Sequence, residues 1–186
     1  MRCYYNSILH GGAKIVGLIS DTHGLLREEA LRALRTCDLI IHAGDVGKPE
    51  IIAALELAPV VTVRGNVDTA PWAAALPATA VAEARCGGQA GAAQAAGEIM
   101  IYVLHNLQEL DLDPAAAGFH IVVSGHTHNP ARSERGGVLY INPGSAGPRR
   151  FALPITVARL DLGYRPWKVN FHRCGCGPNA LIRRPR

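Results

Sequence analysis

The first third of the chain alternates between short apolar runs and segments with helical spacing, and this alternation restricts the possible folds more than any other feature. Residues 14–20, 38–43 and 59–63 are apolar and rich in β-branched side chains, which is typical of buried strands. Helical spacing predicts helices over residues 25–35 and 49–57. Strands that alternate with helices in this way predict a parallel sheet with helices packed on its faces.

The rest of the chain contains mostly strands. Gly136 and Gly137 predict a two-residue hairpin turn, residues 113–118 predict a short helix capped by Asp113, and residues 87–97 are interpreted as a loose connection. Strands are predicted over residues 79–86, 98–105, 120–124, 131–135, 138–142, 155–162 and 167–172. About ten strands are too many for one flat sheet, so the predicted fold class is α/β, with two packed sheets flanked by helices.

Composition excludes several classes of protein. A chain of 186 residues that is 48% hydrophobic suits one domain with a sizeable core. No apolar run approaches the roughly 18 residues of a membrane span, so no membrane association is expected. The net charge is only +4 and the basic residues are not interleaved with aromatic ones, so no dedicated nucleic-acid-binding surface is expected. The five cysteines are scattered, and Cys174 and Cys176 are too close for a zinc ribbon, which predicts free thiols and a cytoplasmic location.

Most of the predicted strands in the parallel part of the sheets run into a side chain that can bind a metal ion. Because ligands of open parallel sheets bind beyond the carboxyl ends of the strands, these side chains are expected to meet in one place. Alternate residues of an extended backbone project to the same side, so the two members of each Asp-x-His or His-x-His pair can face one cavity. The candidate ligands are Asp21, His23, Asp45, Asn66, His105, His126 and His128.

The chemistry of this set favours two transition-metal ions. Seven oxygen and nitrogen donors exceed the needs of one structural zinc ion, and none of them is a thiolate. Histidine mixed with carboxylate suits Mn²⁺, Fe²⁺, Zn²⁺ or Ni²⁺ better than Ca²⁺, and the sequence leaves the choice among the four open. Each motif alone is also common in turns and helix caps. The prediction depends on the ordered set D-x-H, G-D, G-N-x-D, H and G-H-T-H, with one piece at each strand end.

In this ordered set the chain resembles the calcineurin-like metallophosphoesterases, and most closely their small bacterial and archaeal phosphodiesterase branch. The resemblance covers residues 14–172, which leaves an N-terminal extension of residues 1–13 and a basic C-terminal tail of residues 173–186. It implies a four-layer αββα sandwich, in which two stacked mixed β-sheets are flanked by helices. It also implies a metal site at the carboxyl ends of the strands.

The resemblance further implies a role for each candidate ligand. Asp21, His23 and His128 would hold the first metal; Asn66, His105 and His126 would hold the second; and Asp45 would bridge both. The cofactors would be two divalent ions, with manganese favoured over iron, nickel and zinc, and a hydroxide between them would attack phosphorus in line. Asn66 would also be catalytic, since its carbonyl oxygen can bind a metal while its amide donates to the phosphate.

Two positions depart from the family pattern. Larger members have a histidine that resembles a general acid where this chain has Val67. Either the substrate is expected to have a leaving group that departs without much protonation, or another residue supplies the proton. Asn106 follows His105 where many relatives have glycine, and a backbone shift there would weaken the second metal site first. Asp68 and His42 are expected to orient neighbouring ligands by hydrogen bonding rather than to bind metal themselves.

A loop near the end of the chain also matches the family. Asn142-Pro143-Gly144-Ser145 resembles a loop that this branch places beside its site. Arg149 and Arg150 follow it, and the sequence leaves open whether one of them binds a substrate phosphate or both form an ordinary surface pair.

These features predict a dinuclear metal-dependent phosphoesterase that hydrolyses a small phosphodiester. One alternative is a non-catalytic scaffold on the same fold, because the retromer scaffold subunit resembles this family and has an impaired site. Another is a phosphomonoesterase or protein phosphatase. The complete ligand set favours an enzyme over a scaffold. The oligomeric state and the natural substrate are not indicated by the sequence.

Overall fold

The computed structural model describes residues 14–85, 97–150 and 152–175, and these residues form ten strands, two α-helices and two 3₁₀ turns. The strands are β1 (Ile15–Ile19), β2 (Leu39–Ala43), β3 (Val60–Val63), β4 (Thr79–Arg85), β5 (Glu98–Leu104), β6 (Ile121–Val123), β7 (Ala131–Arg135), β8 (Val138–Asn142), β9 (Thr156–Asp161) and β10 (Lys168–Arg173). The helices are α1 (Glu28–Leu34) and α2 (Pro49–Leu55), and the 3₁₀ turns are Pro71–Ala75 and Leu107–Glu109.

The strands form two mixed five-stranded sheets. Sheet 1 has the order β10-β9-β1-β2-β3, and sheet 2 has the order β4-β5-β6-β8-β7. β1, β2 and β3 are mutually parallel, and so are β5, β6 and β8, while the other neighbouring pairs are antiparallel. The expected fold of two stacked mixed sheets is therefore confirmed, and each predicted strand lies within about two residues of an observed one.

The main hydrophobic core lies between the two sheets. Because side chains alternate along a strand, Leu39 and Ile41 of β2 point into this core with Ile101 of β5, while Ile40 faces the other way. On that outer face of sheet 1, α1 and α2 bury residues such as Leu34 against the sheet. Both faces of β2 are thus covered, which explains its uninterrupted apolar sequence.

The outer face of sheet 2 has a thinner cover than the sequence predicts. The expected helix over residues 113–118 is wrong: these residues form a single turn that ends at Gly118 with φ +80°. Asp113 still caps it by accepting hydrogen bonds from the backbone of Ala115 and Ala116. One turn is too short to offset the cost of helix nucleation, and glycine ends it. Instead, the 3₁₀ turn Leu107–Glu109 and neighbouring residues such as Phe119 pack on Tyr102.

The structure confirms the predicted hairpin and shifts the predicted start of the first helix. The hairpin between β7 and β8 is confirmed, and both of its turn glycines have positive φ, as a two-residue turn of this kind requires. Helix α1 begins at Glu28 and not at residue 25, because Gly24 has φ +77° and Leu25 N donates to Thr22 O in a turn.

Several expectations concern parts of the chain outside this description. Residues 1–13, 86–96, 151 and 176–186 are not described, so the N-terminal extension, the loose connection and most of the basic tail stay predictions. Cys174 has a free, buried thiol. Among the described helices, none has the length and apolar character that a membrane crossing demands.

Candidate metal centre

The carboxyl ends of five parallel strands meet at one edge of the two sheets. The ends of β1 and β2 are joined by a hydrogen bond from Asp21 N to Gly44 O, and the ends of β5 and β6 by one from Gly125 N to His105 O. The imidazole of His105 crosses between the sheets, where its Nδ1 donates to Ala43 O at 2.8 Å. The side chains gathered here are Asp21 and His23 after β1, Asp45 after β2, Asn66 after β3, His105 after β5, and His126 and His128 after β6.

Three of these residues form one half of the centre. His128 Nε2 lies 3.2 Å from Asp21 Oδ1 and 3.4 Å from His23 Nε2. One donor atom from each of the three residues lies within 4.8 Å of the other two. This is the set that the sequence assigns to the first metal, and the structure brings it together.

Three others form the second half. His105 Nε2 and His126 Nδ1 each lie 3.2 Å from Asn66 Oδ1. Because His105 donates its Nδ1 hydrogen to Ala43 O, its Nε2 is the atom that faces the centre, which is how a metal-binding histidine is usually oriented. His126 and Asn66 are exposed, whereas His105 is buried, so this half opens toward solvent.

Asp45 lies between the two halves and turns one carboxylate oxygen toward each. Its Oδ1 is 3.4 Å from His105 Nε2, and its Oδ2 is 3.9 Å from His23 Nε2. Oδ1 also accepts a hydrogen bond from Val67 N at 3.0 Å, which holds the carboxylate in this orientation. A carboxylate with one oxygen toward each half can bridge two ions.

The donor atoms fit divalent cations better than they fit one another. His23 Nε2 and His128 Nε2 face each other at 3.4 Å, and Asp21 Oδ1 is buried without a hydrogen-bond partner. Lone pairs that converge on one point in this way are satisfied by a cation. A donor set of imidazole, carboxylate and amide oxygen without thiolate is the one that Mn²⁺, Fe²⁺, Ni²⁺ and Zn²⁺ accept.

The backbone of the centre is held in an unfavourable conformation. In the part of the chain that the structure describes, the only non-glycine residues with positive φ are five of the seven ligand candidates. They are Asp21 (53°), His23 (46°), Asp45 (55°), His126 (68°) and His128 (59°). Left-handed backbone lets the chain turn sharply at a strand end and aim the side chain back at the centre. Such residues cost on the order of 1–3 kcal/mol each, and they cluster at functional sites.

Asp68 fastens the loops that carry two of the ligand candidates. Its buried carboxylate accepts hydrogen bonds from Val46 N (3.0 Å), Gly47 N (2.8 Å) and Gly65 N (2.8 Å). These amides flank Asp45 and Asn66. Asp68 therefore acts on the ligand candidates through the backbone and does not contact their side chains.

A buried pair of side chains, Thr22 and His42, joins the ends of β1 and β2. His42 is fully buried, and its Nε2 lies 2.9 Å from Thr22 Oγ1. Thr22, which stands between two ligand candidates, also donates from its hydroxyl to Val46 O at 2.9 Å. Sequence reasoning missed Thr22. Its position inside D-T-H hints at a supporting role, but its partner depends on strand register, which the sequence does not show.

The loop after β8 braces both strand ends of the centre. Asn142 Nδ2 donates to Gly125 O at 2.6 Å and to Thr127 Oγ1 at 3.0 Å, which fixes the segment that carries His126 and His128. Ser145 Oγ donates to the backbone oxygen of Asp21 at 3.0 Å. The loop that resembles the family pattern thus lies beside the site.

Burial and a nearby positive charge favour the neutral form of both histidines in the first half. Burial, followed by the charges of His23 and Arg150, lowers the pKa of His128 to about 4, so its imidazole is neutral at physiological pH. The pKa of His23 is lowered as well, by burial and in part by Arg150. Burial raises the pKa of Asp21 to about 6, although a hydrogen bond from Ser20 opposes that rise. The positive charge of Arg150 is therefore felt inside this half.

For Asp45 and His105, hydrogen bonds affect the pKa more strongly than burial does. Burial alone would raise the pKa of Asp45, but hydrogen bonds from His105 and Val67 N outweigh burial and the pKa is lowered. Burial alone would lower the pKa of His105, but its hydrogen bonds to Asp45 and Ala43 outweigh burial and the pKa is raised. The imidazole of His105, beside Asp45, therefore takes up a proton more readily than a free histidine does.

Asn106, which follows His105, has an unstrained backbone. Asn106 has φ −104°, an ordinary extended conformation that requires no glycine. Its Oδ1 accepts from Gln108 N at 3.1 Å and caps the following 3₁₀ turn. The weakening of the second metal site by Asn106 stays a prediction.

Comparison with known proteins shows the family of the chain. Residues 15–164 match the calcineurin-like phosphoesterase superfamily domain. A probable metallophosphoesterase from Methanothermobacter thermautotrophicus is 34% identical over 154 residues, which are 79% of this chain and 86% of the relative.

Solved structures show the same architecture. A predicted phosphoesterase from Streptococcus pneumoniae TIGR4 superposes with a TM-score of 0.63 at 25% identity, over 88% of this chain and 91% of that one. Vacuolar Protein Sorting 29 from Cryptosporidium parvum has a TM-score of 0.61 at 22% identity, over 89% of this chain and all of that one, which shows a shared fold. With a family match over most of its length and a curated relative at this identity, the chain belongs to the calcineurin-like phosphoesterase superfamily.

Proposed function

We propose that this protein is a dinuclear metal-dependent phosphodiesterase, and that the seven ligand candidates hold two ions as the sequence assigns them. The observation that carries the proposal is the carboxylate of Asp45, which turns one oxygen toward each half of the centre. A carboxylate in this position can bind two ions at once. Manganese is the ion we expect, and the cytoplasm is the location that the scattered cysteines favour.

Besides the two ions, the side chains of Asn66 and Arg150 would contribute to the reaction. Two divalent ions bound here would lower the pKa of water and neutralise charge on the phosphoryl group. The amide of Asn66, exposed beside both histidines of the second half, is placed to donate to a phosphate oxygen. Arg150 supplies a positive charge on the other side.

One feature restricts the leaving group of the substrate, and another supports a diester. Val67, which is 43% exposed, has no proton to give to a leaving group, so the preferred leaving groups are those that need little protonation. The second half of the centre opens toward solvent through His126 and Asn66, which leaves space for a second ester group.

The test is hydrolysis of bis(4-nitrophenyl) phosphate and of 4-nitrophenyl phosphate by chelator-treated protein titrated with Mn²⁺. We expect metal-dependent turnover in which kcat/KM for the diester exceeds that for the monoester. Asp45→Asn should lower the diester rate by at least about 100-fold, because it removes the shared charge between the ions. Asp111→Asn, the same change at an exposed position, is the matched control and should leave the rate unchanged.

Two results would contradict the proposal in different ways. A monoester rate that exceeds the diester rate would make the protein a phosphomonoesterase. No turnover with Mn²⁺, Ni²⁺ or Zn²⁺, in protein that still unfolds cooperatively, would favour a scaffold on this fold, and the search would turn to a protein partner.

A further inference from the structure

A cleft of about 610 Å³ opens beside the second half of the metal centre. His126, one of the ligand candidates, forms part of its wall, so the cleft is continuous with the place where the phosphate would lie. The remaining lining residues are Asn106, Leu107, Gln108, Thr127 and Arg135. A cavity of this volume holds a nucleotide-sized group.

The lining of the cleft is suited to an anion. Arg135 is the last residue of β7, and its guanidinium lies over the ring of Tyr140, 5.4 Å from the ring centroid, which holds the cation in place. None of the described residues that line the cleft is a carboxylate. Beside the cleft, the carboxylate of Glu109 accepts a hydrogen bond from Asn106 Nδ2 at 3.1 Å.

The other lining groups recognise neutral parts of a ligand. Asn106 and Gln108 carry amides that can donate and accept hydrogen bonds, and Leu107 offers an apolar surface. An arginine, two amides and one apolar side chain form the combination expected for a sugar or base that carries a phosphate.

We propose that this cleft binds an alcohol group of the substrate that carries a second phosphate, and that Arg135 recognises that phosphate. The substrate class is then a phosphodiester with a phosphomonoester on one of its two alcohols. Arg135 takes no part in breaking the ester bond, and its guanidinium pairs with two phosphate oxygens at once. This inference rests on the proposed phosphodiesterase function.

The test compares two chromogenic diesters that differ only in the second phosphate. They are the 4-nitrophenyl ester of thymidine 5′-phosphate and the same compound with an added 3′-phosphate. In the Mn²⁺-loaded wild type we expect kcat/KM to be higher by about 10-fold or more for the phosphorylated diester, as for a charge-assisted contact. In Arg135→Ala that ratio should fall to near one, while kcat/KM for the plain diester stays within about twofold of wild type.

Arg132→Ala is the matched control. Arg132 belongs to the same exposed strand, but the alternation of side chains along β7 places it on the opposite face from Arg135. Its removal should leave the preference intact. An equal rate for both diesters in the wild type, a preference that survives in Arg135→Ala, or an equal loss in Arg132→Ala would overturn the inference.

A binding measurement separates this inference from the proposed function. Thymidine 3′,5′-bisphosphate should bind Mn²⁺-loaded wild type more tightly than Arg135→Ala by about 10-fold in calorimetry. If neither diester is hydrolysed but this difference in binding is observed, the cleft is supported and the phosphodiesterase function fails. If both diesters are hydrolysed and the difference is absent, the function stands and the cleft assignment fails. Absence of both turnover and binding overturns the two together.

Discussion

At the scale of single residues, the metal centre is built from side chains that the rest of the molecule forces into place. Five of the ligand candidates have left-handed backbone, and several of the hydrogen bonds that brace the loops around them come from residues outside the candidate set. Asp68 supplies three such bonds, and the pair of Thr22 and His42 supplies another link. Because the donors are already in place before an ion binds, binding loses less conformational entropy.

His42 makes the stability of the metal-free protein depend on pH. Burial lowers its pKa from 6.5 to about 4, so the imidazole is neutral when folded, while the unfolded chain takes up a proton below pH 6.5. The contribution of His42 to the free energy of unfolding is therefore fully present above pH 6.5 and is lost as the pH falls toward 4. We expect wild type to lose on the order of 3 kcal/mol more than His42→Gln between pH 7 and pH 4.

Denaturant titrations with chelator present, at several pH values, measure this difference. His42→Gln keeps a side-chain amide that can donate to Thr22, so its loss of stability at pH 7 should be modest. Parallel pH profiles for the two proteins would contradict the assignment of this dependence to His42.

At the scale of elements, the glycines that end the strands matter for the space they leave. A Cβ on Gly65 would overlap Asp45 Oδ1 and would lie 2.8 Å from Asp45 Cγ. We expect Gly65→Ala to push the carboxylate of Asp45 aside and to weaken Mn²⁺ binding by about 10-fold to 100-fold. Gly163 is the matched control, because a Cβ there would meet only Asp161 Oδ1, at 3.1 Å.

Isothermal titration of both variants with Mn²⁺ measures this effect. Equal affinities in Gly65→Ala and Gly163→Ala would mean that Asp45 relaxes without cost. A loss of affinity in both would point to a general effect of alanine on the fold.

Much of the fold follows from local patterns in the sequence, while the contacts between elements do not. Apolar runs locate most of the strands, and the glycine pair 136–137 locates the hairpin of β7 and β8, because period and turn chemistry are local properties. The helix expected over residues 113–118 fails because one turn receives too little support from packing. The partner of His42 and the cleft around Arg135 depend on register and on the approach of distant loops, which one sequence does not reveal.

The candidate ligands could be predicted because each stands at the end of an apolar run. The structure brings all seven together, although their binding of metal stays a prediction. Their left-handed backbone could not be predicted, since aspartate and histidine adopt extended and helical backbone elsewhere in proteins.

At the scale of the whole molecule, an ion that binds only the folded protein should stabilise it. With Mn²⁺ at about 100 times its dissociation constant, the gain is about 2.7 kcal/mol, which raises the melting temperature of a domain of this size by roughly 5–10 °C. Calorimetric melting curves with Mn²⁺ and with chelator measure the shift. Asp45→Asn should show a much smaller rise, and an equal rise would place the ions elsewhere on the molecule.

The two sheets contribute unequal shares of one centre. Sheet 1 supplies Asp21, His23, Asp45 and Asn66, and sheet 2 supplies the three remaining histidines. Neither sheet holds all seven ligand candidates, so the distance between the sheet edges sets the spacing of their donor atoms. A small molecule or protein that wedges those edges apart would be an allosteric inhibitor, because it would separate the donors without touching any of them.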